Sequence, residues 1–445
     1  MRKRLVILGG GESGVGAAIL GKKEDYQVLV VDQGSLKVQY REELLQRQID
    51  FLEGEAGLSA ALEADEVMKS PGIPEKNEWV KAIRARGIPV ISEIELAYRH
   101  KGNSKIIAIT GSNGKTTTTA LTWHICQKGG IDAALVGNIG FSFARQVAED
   151  PKPLYVAEIS SFQLDDIVTF RPDIAILTNI TEDHLDRYEY KFENYIHSKF
   201  RIIENQTRDD QFIYCADDPV TIQYLNQFEI LAKQLPISMK TDTNGAFIKD
   251  GDMYIRTGEE FSSMSVYDFA LKGKHNQYNT MAASLAAAQM DIRKEKIREA
   301  VMDFHALEHR MEPVSTIRGV EFVNDSKSTN VNSTWYALES MTKPTILILG
   351  GVDKGNDYEL IEELVKEKVK AIVCLGTDNS KIHAAFNGKV ANIVDARSAL
   401  EAVQASFQLA AKGDVVLLSP ACASFDLFKN YEDRGAQFKR AVREL

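Results

Sequence analysis

The run Gly111-Ser112-Asn113-Gly114-Lys115-Thr116-Thr117 carries the chemistry of phosphate binding. A glycine-rich loop directly after an aliphatic strand turns several backbone N–H groups toward one anion. Lys115 can then reach the β- and γ-oxygens, and the Thr116 hydroxyl can ligate Mg2+. The full P-loop pattern wants a glycine six residues before the lysine, where this chain has Ile109, so the loop is a shortened form. Two more segments supply metal-ligand side chains: Glu158 in AEISSFQL, and Asp183 with His184 in LTNITEDHLDRY. Each follows a predicted strand, at the carboxyl end where α/β sheets place ligands. A carboxylate and an imidazole beside a phosphate loop suit Mg2+ and a nucleotide. Lys199, in FENYIHSKFRII, reads by itself as a solvated helix lysine.

A second glycine loop, Gly9-Gly10-Gly11-Glu12-Ser13-Gly14, follows the strand LVIL and should open a helix, with Asp32 ending the next strand. This is the G-x-G-x-x-G fingerprint with a later acidic residue. A nicotinamide dinucleotide, another nucleotide diphosphate such as a UDP-sugar, and a ligand-free tight turn all remain open for it. Near the other end, SPACAS follows the strand DVVLLS and leads into an amphipathic helix. Cys422 within it could be a nucleophile, but no histidine lies close in sequence, and a free cysteine is usually a small buried residue.

The elements that position these residues repeat one unit, an aliphatic run ending in a glycine-rich loop. It occurs at Leu5–Leu8, at Ile106–Ile109 and at Ile346–Leu349, the last running into GGVDKGND with Lys354. Continuous aliphatic strands between helical stretches indicate parallel sheets buried on both faces. The fold class expected is α/β, with three α/β domains in series over residues 1-95, 96-305 and 306-445. The first boundary falls near Ser92–Gly102 and the second near Phe304–Pro313. Residues 240–269, with Asn244-Gly245 and Asp250-Gly251, read as a small hairpin-rich insert. The charged run Arg293–Glu299 reads as a solvated helix face.

The whole chain has 445 residues, 44% hydrophobic and 26% charged, which excludes disordered, collagen-like and fibrous proteins. Lys+Arg 53 against Asp+Glu 63 gives a net charge of −10, which argues against nucleic-acid and anionic-membrane binding. Four scattered cysteines make no disulfide framework and no structural zinc site, so a reducing cytoplasmic setting is expected. No stretch is long and apolar enough to span a membrane. The basic, then apolar, N-terminus reads as a first strand and not as a secretion signal.

Taken together, SPGIP, TGSNGKTT, EISSFQL, TNITEDHLDRY, HNQYN, EHR, NDSKSTN and SPACASFDLFKNYEDRG resemble the Mur ligases, over essentially the whole chain. These are the ATP-dependent amino-acid-adding enzymes of peptidoglycan precursor synthesis, and the combination resembles their D-glutamate-adding branch. TGSNGKTT alone is shared with a wider superfamily that includes folylpolyglutamate synthase.

The resemblance implies a Rossmann-like UDP-substrate domain, a central ATPase-like catalytic domain and a Rossmann-like lid that takes the amino acid. It implies ATP, two Mg2+ ions, UDP-MurNAc-L-Ala and D-glutamate as ligands, and a monomer. Gly111, Asn113, Gly114, Lys115, Thr116, Thr117, Asn279, Arg310 and Asp325 match ATP-binding positions. Thr116, Glu158 and His184 match metal ligands, and Lys199 matches a lysine carried as a carbamate. Lys115, His184 and Lys199 are thereby the catalytic candidates. Gly11, Ser13, Gly14, Asp32, Ser70, Gly72, Asn138, Ser160, Ser161 and Gln163 match the UDP-substrate path. Thr329, Lys354, Ser424 and Tyr431 match positions that hold D-glutamate.

Overall fold

The computed structural model describes residues 2–257, 260–304, 308–353 and 355–445. It contains three sheets. The first has β1 (Arg4–Leu8), β2 (Gln27–Asp32), β3 (Asp50–Glu53), β4 (Glu66–Lys69) and β5 (Val90–Ile91), all parallel, in the order β3-β2-β1-β4-β5. Leu5, Val6 and Ile7 are fully buried, with Leu5 and Ile7 in one apolar cluster and Val6 in another. That is what covering both faces of a parallel sheet requires, and Arg4–Leu8 is a strand as its aliphatic run indicates.

The second sheet has β6 (Lys105–Thr110), β7 (Ala133–Gly137), β8 (Leu154–Glu158), β9 (Ile174–Leu177), β10 (Gln211–Cys215), β11 (Lys233–Ser238), β12 (Ala246–Lys249), β13 (Asp252–Thr257) and β14 (Glu260–Ser265). Their order is β14-β13-β12-β11-β10-β9-β6-β8-β7. The hairpin-rich stretch forms its hairpins and adds them to the edge of this sheet. β12 pairs parallel to β11, and β13 and β14 continue the sheet antiparallel. Asp250-Gly251 makes the expected hairpin turn, whereas Asn244-Gly245 leads into β12 from the β11 side and joins no hairpin.

The third sheet has β15 (Glu312–Ile317), β16 (Val320–Asn324), β17 (Thr345–Leu349), β18 (Val369–Leu375), β19 (Asn392–Ala396) and β20 (Val415–Leu418), in the order β15-β16-β20-β17-β18-β19. Only the β15–β16 pair is antiparallel. By contact density the chain forms two compact units. One holds the first two sheets (Met1–Ala270 and Gln277–Phe304), and the other holds the third (Leu271–Asn276 and His305–Leu445). Among the described residues no helix is long and apolar enough to cross a membrane. The helix Lys294–Asp303 solvates its charged face and buries Ile297, Ala300 and Val301.

Within the larger unit the first two sheets are joined by buried charge. The Lys69 ammonium lies 3.0 Å from an oxygen of Asp166 and 2.9 Å from Glu75. The Glu95 carboxylate accepts N–H bonds from Val168, Thr169 and Phe170 at 2.8–3.0 Å. Removing one partner of such a pair leaves an uncompensated buried charge.

Glu93, at the start of the helix Glu93–His100, is the exception: among the described residues it has no ion-pair partner, and the Glu12 charge adds to the effect of burial. Burial pushes its carboxyl up to about 7 from 4.5, although the Ala144 N–H donates to it at 2.5 Å. A raised carboxyl contributes its stability in full below its unfolded value and loses it as pH rises through about 7. Melting at about pH 6 and about pH 8 should therefore cost the parent roughly 1.4 kcal/mol that Glu93→Gln does not lose. The gap between the two melting temperatures should change by about 2–4 °C across that interval. An identical gap at both pH values would show that the carboxyl titrates normally.

Candidate active site

The phosphate loop fills the turn between β6 and the helix Lys115–Lys128. Gly114 stands at the helix N-cap with φ 83°, in the left-handed region. A Cβ there would lie 2.4 Å from Asn279 Oδ1, so both conformation and space require glycine. Asn279 is buried on the helix Lys274–Ala288, and its Oδ1 accepts from the Thr118 hydroxyl at 3.1 Å.

The segment after β9 braces the loop from the other side. Ser112 N–H donates to the Asn179 carbonyl at 2.8 Å, and Asn113 N–H donates to Asn179 Oδ1 at 3.0 Å. The Thr178 hydroxyl donates to the Asn113 carbonyl at 2.7 Å. Ser112 Oγ reaches the Thr181 carbonyl at 2.8 Å and the Tyr195 hydroxyl at 3.1 Å. Sequence reasoning took this segment for its Asp183 and His184 and missed the Thr178–Thr181 brace. The cluster of hydrogen-bonding side chains directly after a buried strand was the available signal.

Two lysine amines converge on one carbonyl. Lys115 Nζ donates to Gly111 O at 2.7 Å and to Ser112 O at 2.9 Å, and Lys199 Nζ donates to the same Gly111 O at 2.8 Å. Lys199 is 1% exposed and lies 4.5 Å from the centre of the Tyr195 ring. Its reading as a solvated lysine is overturned. It shares the buried stripe of the helix Phe192–Phe200 with Tyr195 and Ile196, a pattern visible in the 3.6-residue period. Burial, and then the neighbouring Lys115 charge, hold its amine well below the ordinary lysine range, against the pull of Asp183, Asp165 and Glu158. The site thus holds an amine poised to be neutral among carboxylates.

Glu158 ends β8, is 1% exposed, and accepts from Asn138 Nδ2 at 2.9 Å. His184 has φ 53°, strained for a non-glycine residue, and its ring meets Phe162 edge-on at 5.1 Å. Its own N–H donates to Asp183 Oδ1 at 2.9 Å. Thr116 and Thr117 are buried in the first turn of the helix. Ser160 caps the short helix Ser161–Leu164, and Gln163 returns a bond to the Ser160 N–H at 2.9 Å, so these two are a capping box. Ser161 is buried, and its carbonyl accepts from Ser198 at 3.0 Å.

In the first sheet's domain, Gly11 caps the helix Glu12–Lys23, Ser13 lies in its first turn, and a Cβ on Gly14 would meet the Gly9 carbonyl at 1.8 Å. Both Asp32 oxygens accept main-chain N–H groups, from Gly10 and from Gly34, each at 2.9 Å. The carboxylate shapes its own loop, which weakens the case for a dinucleotide ribose there. Ser70 Oγ donates to the Gly9 carbonyl at 3.2 Å. Arg187, which sequence reasoning missed, donates to the carbonyls of Pro71 and Gly72 at 3.1 and 3.4 Å and stacks 4.3 Å from the Phe162 ring. It ties the SPGIP loop to the loop that carries His184.

In the smaller unit the Asp325 carboxylate is buried and accepts from Met311 N–H, Ser328 Oγ and Ser419 Oγ at 3.1, 2.5 and 2.9 Å. Burial raises its carboxyl, opposed by the Ser328 hydroxyl and the Arg310 charge. Arg310 and Thr329 are half-buried, and Ser424 is buried. The Tyr431 ring lies 5.5 Å from Lys327 Nζ. Lys354 lies outside the described residues. Arg434 went unnoticed in the sequence. It is 1% exposed and donates to the carbonyls of Ser326 and Cys422 at 2.8 and 3.1 Å, pinning NDSKSTN against SPACAS. Cys422 is buried against Tyr358 and Asn356, and burial raises its thiol, as suits a packing residue.

Three sheets in this order, with a shortened phosphate loop at the centre, make up the three-domain α/β fold of the Mur ligases. Family models match in series: the Mur ligase MurD-like N-terminal domain over residues 3–92, the Mur ligase middle domain over 109–287, and the Mur ligase glutamate ligase domain over 309–422. The chain belongs to the Mur ligase family. A relative from Christiangramia forsetii called UDP-N-acetylmuramoylalanine–D-glutamate ligase is 52% identical, with all of each chain covered. One of the same name from Bacteroides thetaiotaomicron is 50% identical, again with full coverage of both. Among solved structures, the Thermotoga maritima UDP-N-acetylmuramate-alanine ligase superposes with a TM-score of 0.64 at 14% identity, covering 99% of each chain. The MurF ligase of that organism, in complex with ADP, superposes at 0.61 and 14% identity, covering 94% of this chain and 95% of its own.

Proposed function

We propose that the chain is an ATP-dependent carboxylate–amine ligase that joins D-glutamate to UDP-N-acetylmuramoyl-L-alanine, in peptidoglycan precursor synthesis in the cytoplasm, acting as a monomer. The observation that carries this reading is identity of 50–52% over the full length with relatives of that activity by name. The geometry of the phosphate loop is in keeping with it.

A carboxylate is a poor electrophile. The substrate carboxylate therefore attacks the γ-phosphorus of ATP, giving an acyl phosphate and ADP. The amine of D-glutamate then attacks the acyl carbon, phosphate departs with the electron pair of the broken C–O bond, and the amine gives up a proton. Two anions must meet in the first step. Lys115 and the loop N–H groups supply positive charge at the phosphates, and the Asn179 and Thr178 bonds keep the loop rigid enough to aim it. The donor set suits Mg2+: Thr116, Glu158 and His184 would hold it, together with a carbamate on Lys199, and the metal would neutralise the developing charge. The carbamate forms when the neutral Lys199 amine attacks CO2 and releases one proton to solvent. Burial and Lys115 favour that neutral amine.

Asn279, Arg310 and Asp325 are assigned to the nucleotide, and Asn138, Ser160, Ser161 and Gln163 to the muramoyl side. Thr329, Ser424 and Tyr431 are assigned to D-glutamate. Fixing both carboxylates of the amino acid leaves one enantiomer with its amine aimed at the acyl carbon. Shortening the side chain by a methylene leaves buried donors unpaired, at about 1–3 kcal/mol. In a phosphate-release assay of muropeptide precursors against amino acids, UDP-MurNAc-L-Ala with D-Glu should give sustained turnover. D-Asp should fall by roughly tenfold or more in kcat/KM, and L-Glu further. Comparable kcat/KM for L-Glu, or faster turnover with another precursor, would overturn the assignment.

A further inference from the structure

Away from the phosphate loop, the third sheet brings a thiol, an imidazole and a carboxylate together at one end. Cys374 and Asp395 are register partners on the adjacent parallel strands β18 and β19. Parallel register partners present their side chains on the same face of a sheet. His383 enters from the helix Ser380–Phe386, and its Nε2 lies 3.1 and 3.2 Å from the two Asp395 oxygens. One ligand atom from each of the three residues lies within 4.8 Å of the other two. A tetrahedral zinc sets its ligand atoms about 3.5 Å apart, so small side-chain rotations suffice.

We propose that Cys374, His383 and Asp395 form a binding site for a borderline-soft divalent cation of the zinc class, separate from the Mg2+ site of the ligase reaction. Three observations support it. The donor set is S, N and O, which favours zinc, or cobalt as its surrogate, over magnesium. The three donors come from two strands and a helix, so the backbone fixes their spacing. A supporting shell is also in place. Asn379 Nδ2 donates to Asp395 Oδ1 at 2.8 Å, which would orient the carboxylate, and Asn379 Oδ1 is buried with no hydrogen-bond partner among the described residues.

Exposure grades across the site. Cys374 is fully buried, while the His383 and Asp395 side chains are 40% and 57% exposed. Solvent can therefore deliver the ion and complete its fourth position. On binding, the thiol gives its proton to water and the sulfur coordinates as thiolate. The ion would staple edge strand β19 to β18 and to the helix between them. The adjoining loop is tied to the SPACASFD segment, because Thr377 N–H donates to Asp426 Oδ2 at 3.0 Å. The proposal does not depend on the identity of the ligase substrates.

The test is a titration of chelator-treated, full-length protein with Co2+ in millimolar Mg2+. One equivalent should bind, with tetrahedral d–d bands and a thiolate-to-cobalt charge-transfer band, and Zn2+ should displace it. Zn2+ should also raise the melting temperature by about 2–4 °C at tenfold excess over its dissociation constant. His383→Gln and Asp395→Asn, both partly exposed, should each weaken binding at least tenfold while keeping the fold. Cys374→Ala should abolish the charge-transfer band. The absence of stoichiometric binding would overturn the proposal. So would a charge-transfer band that survives His383→Gln and Asp395→Asn unchanged, or one that disappears in Cys422→Ala instead.

Discussion

Lys199→Ala should reduce phosphate release in the presence of UDP-MurNAc-L-Ala, D-Glu and ATP by roughly a thousandfold or more, with the fold intact. On the proposed mechanism the variant loses a metal-facing carbamate in a water-excluded site, where single preorganised groups are worth about a hundred- to a thousandfold. The fold should survive because Lys199 and Lys115 crowd one carbonyl, Gly111 O, at 2.8 and 2.7 Å. Burial and the Lys115 charge already disfavour an ammonium at Lys199, so its removal strands no buried charge and leaves only a cavity in the packing. Lys199→Arg separates charge from chemistry: a guanidinium brings a fixed positive charge and cannot become a carbamate, so it should be as inactive as alanine. Protein equilibrated with 13CO2 should show one carbamate carbon signal that is absent from both variants. Parent-like rates in Lys199→Arg would mean that a cation serves at this position and that the carbamate is not used.

How far the sequence reached can be judged from particular residues. The strands were legible because buried parallel strands are continuous aliphatic runs, as in RLVIL, KIIAIT and TILIL. The shortened phosphate loop was legible because glycine at a left-handed N-cap and lysine directly after it have few other uses. What did not show was whatever depends on contacts distant in sequence. Asn179 bracing Asn113, Arg187 reaching Pro71 and Arg434 holding Ser326 to Cys422 leave no local pattern. Lys199 looked solvated because lysine usually is, although the helical period around Tyr195 and Ile196 already placed it on the buried stripe. Residues 240–269 form hairpins as the Asp250-Gly251 turn indicates, because hairpin turns are local, whereas the pairing of β12 with β11 that adds them to the central sheet is not local and did not show. The cluster of Cys374, His383 and Asp395 is of the same kind, since strand register assembles it.

Lys115→Ala should likewise abolish turnover, by roughly a hundred- to a thousandfold or more, and should weaken nucleotide binding as well. Lys115 is the first residue of its helix, and alanine is a better helix former than lysine, so the fold should hold. The variant should also change a residue it does not replace. The Lys115 charge is the second-largest cause, after burial, of the depressed Lys199 amine. Without it the amine becomes more basic, more of it is protonated at a given pH, and less is free to attack CO2. At fixed pH and CO2 the 13C carbamate signal should therefore be weaker in Lys115→Ala than in the parent, and should recover as pH is raised. The sign follows from the chemistry: only the neutral amine is nucleophilic, and a raised lysine pKa moves its appearance to higher pH. This separates the electrostatic coupling of the two lysines from the role proposed for Lys115 at phosphate. A Lys115→Ala protein that loses turnover while its carbamate signal keeps the parent's strength and pH profile would show that the two amines, despite their shared carbonyl, do not influence each other.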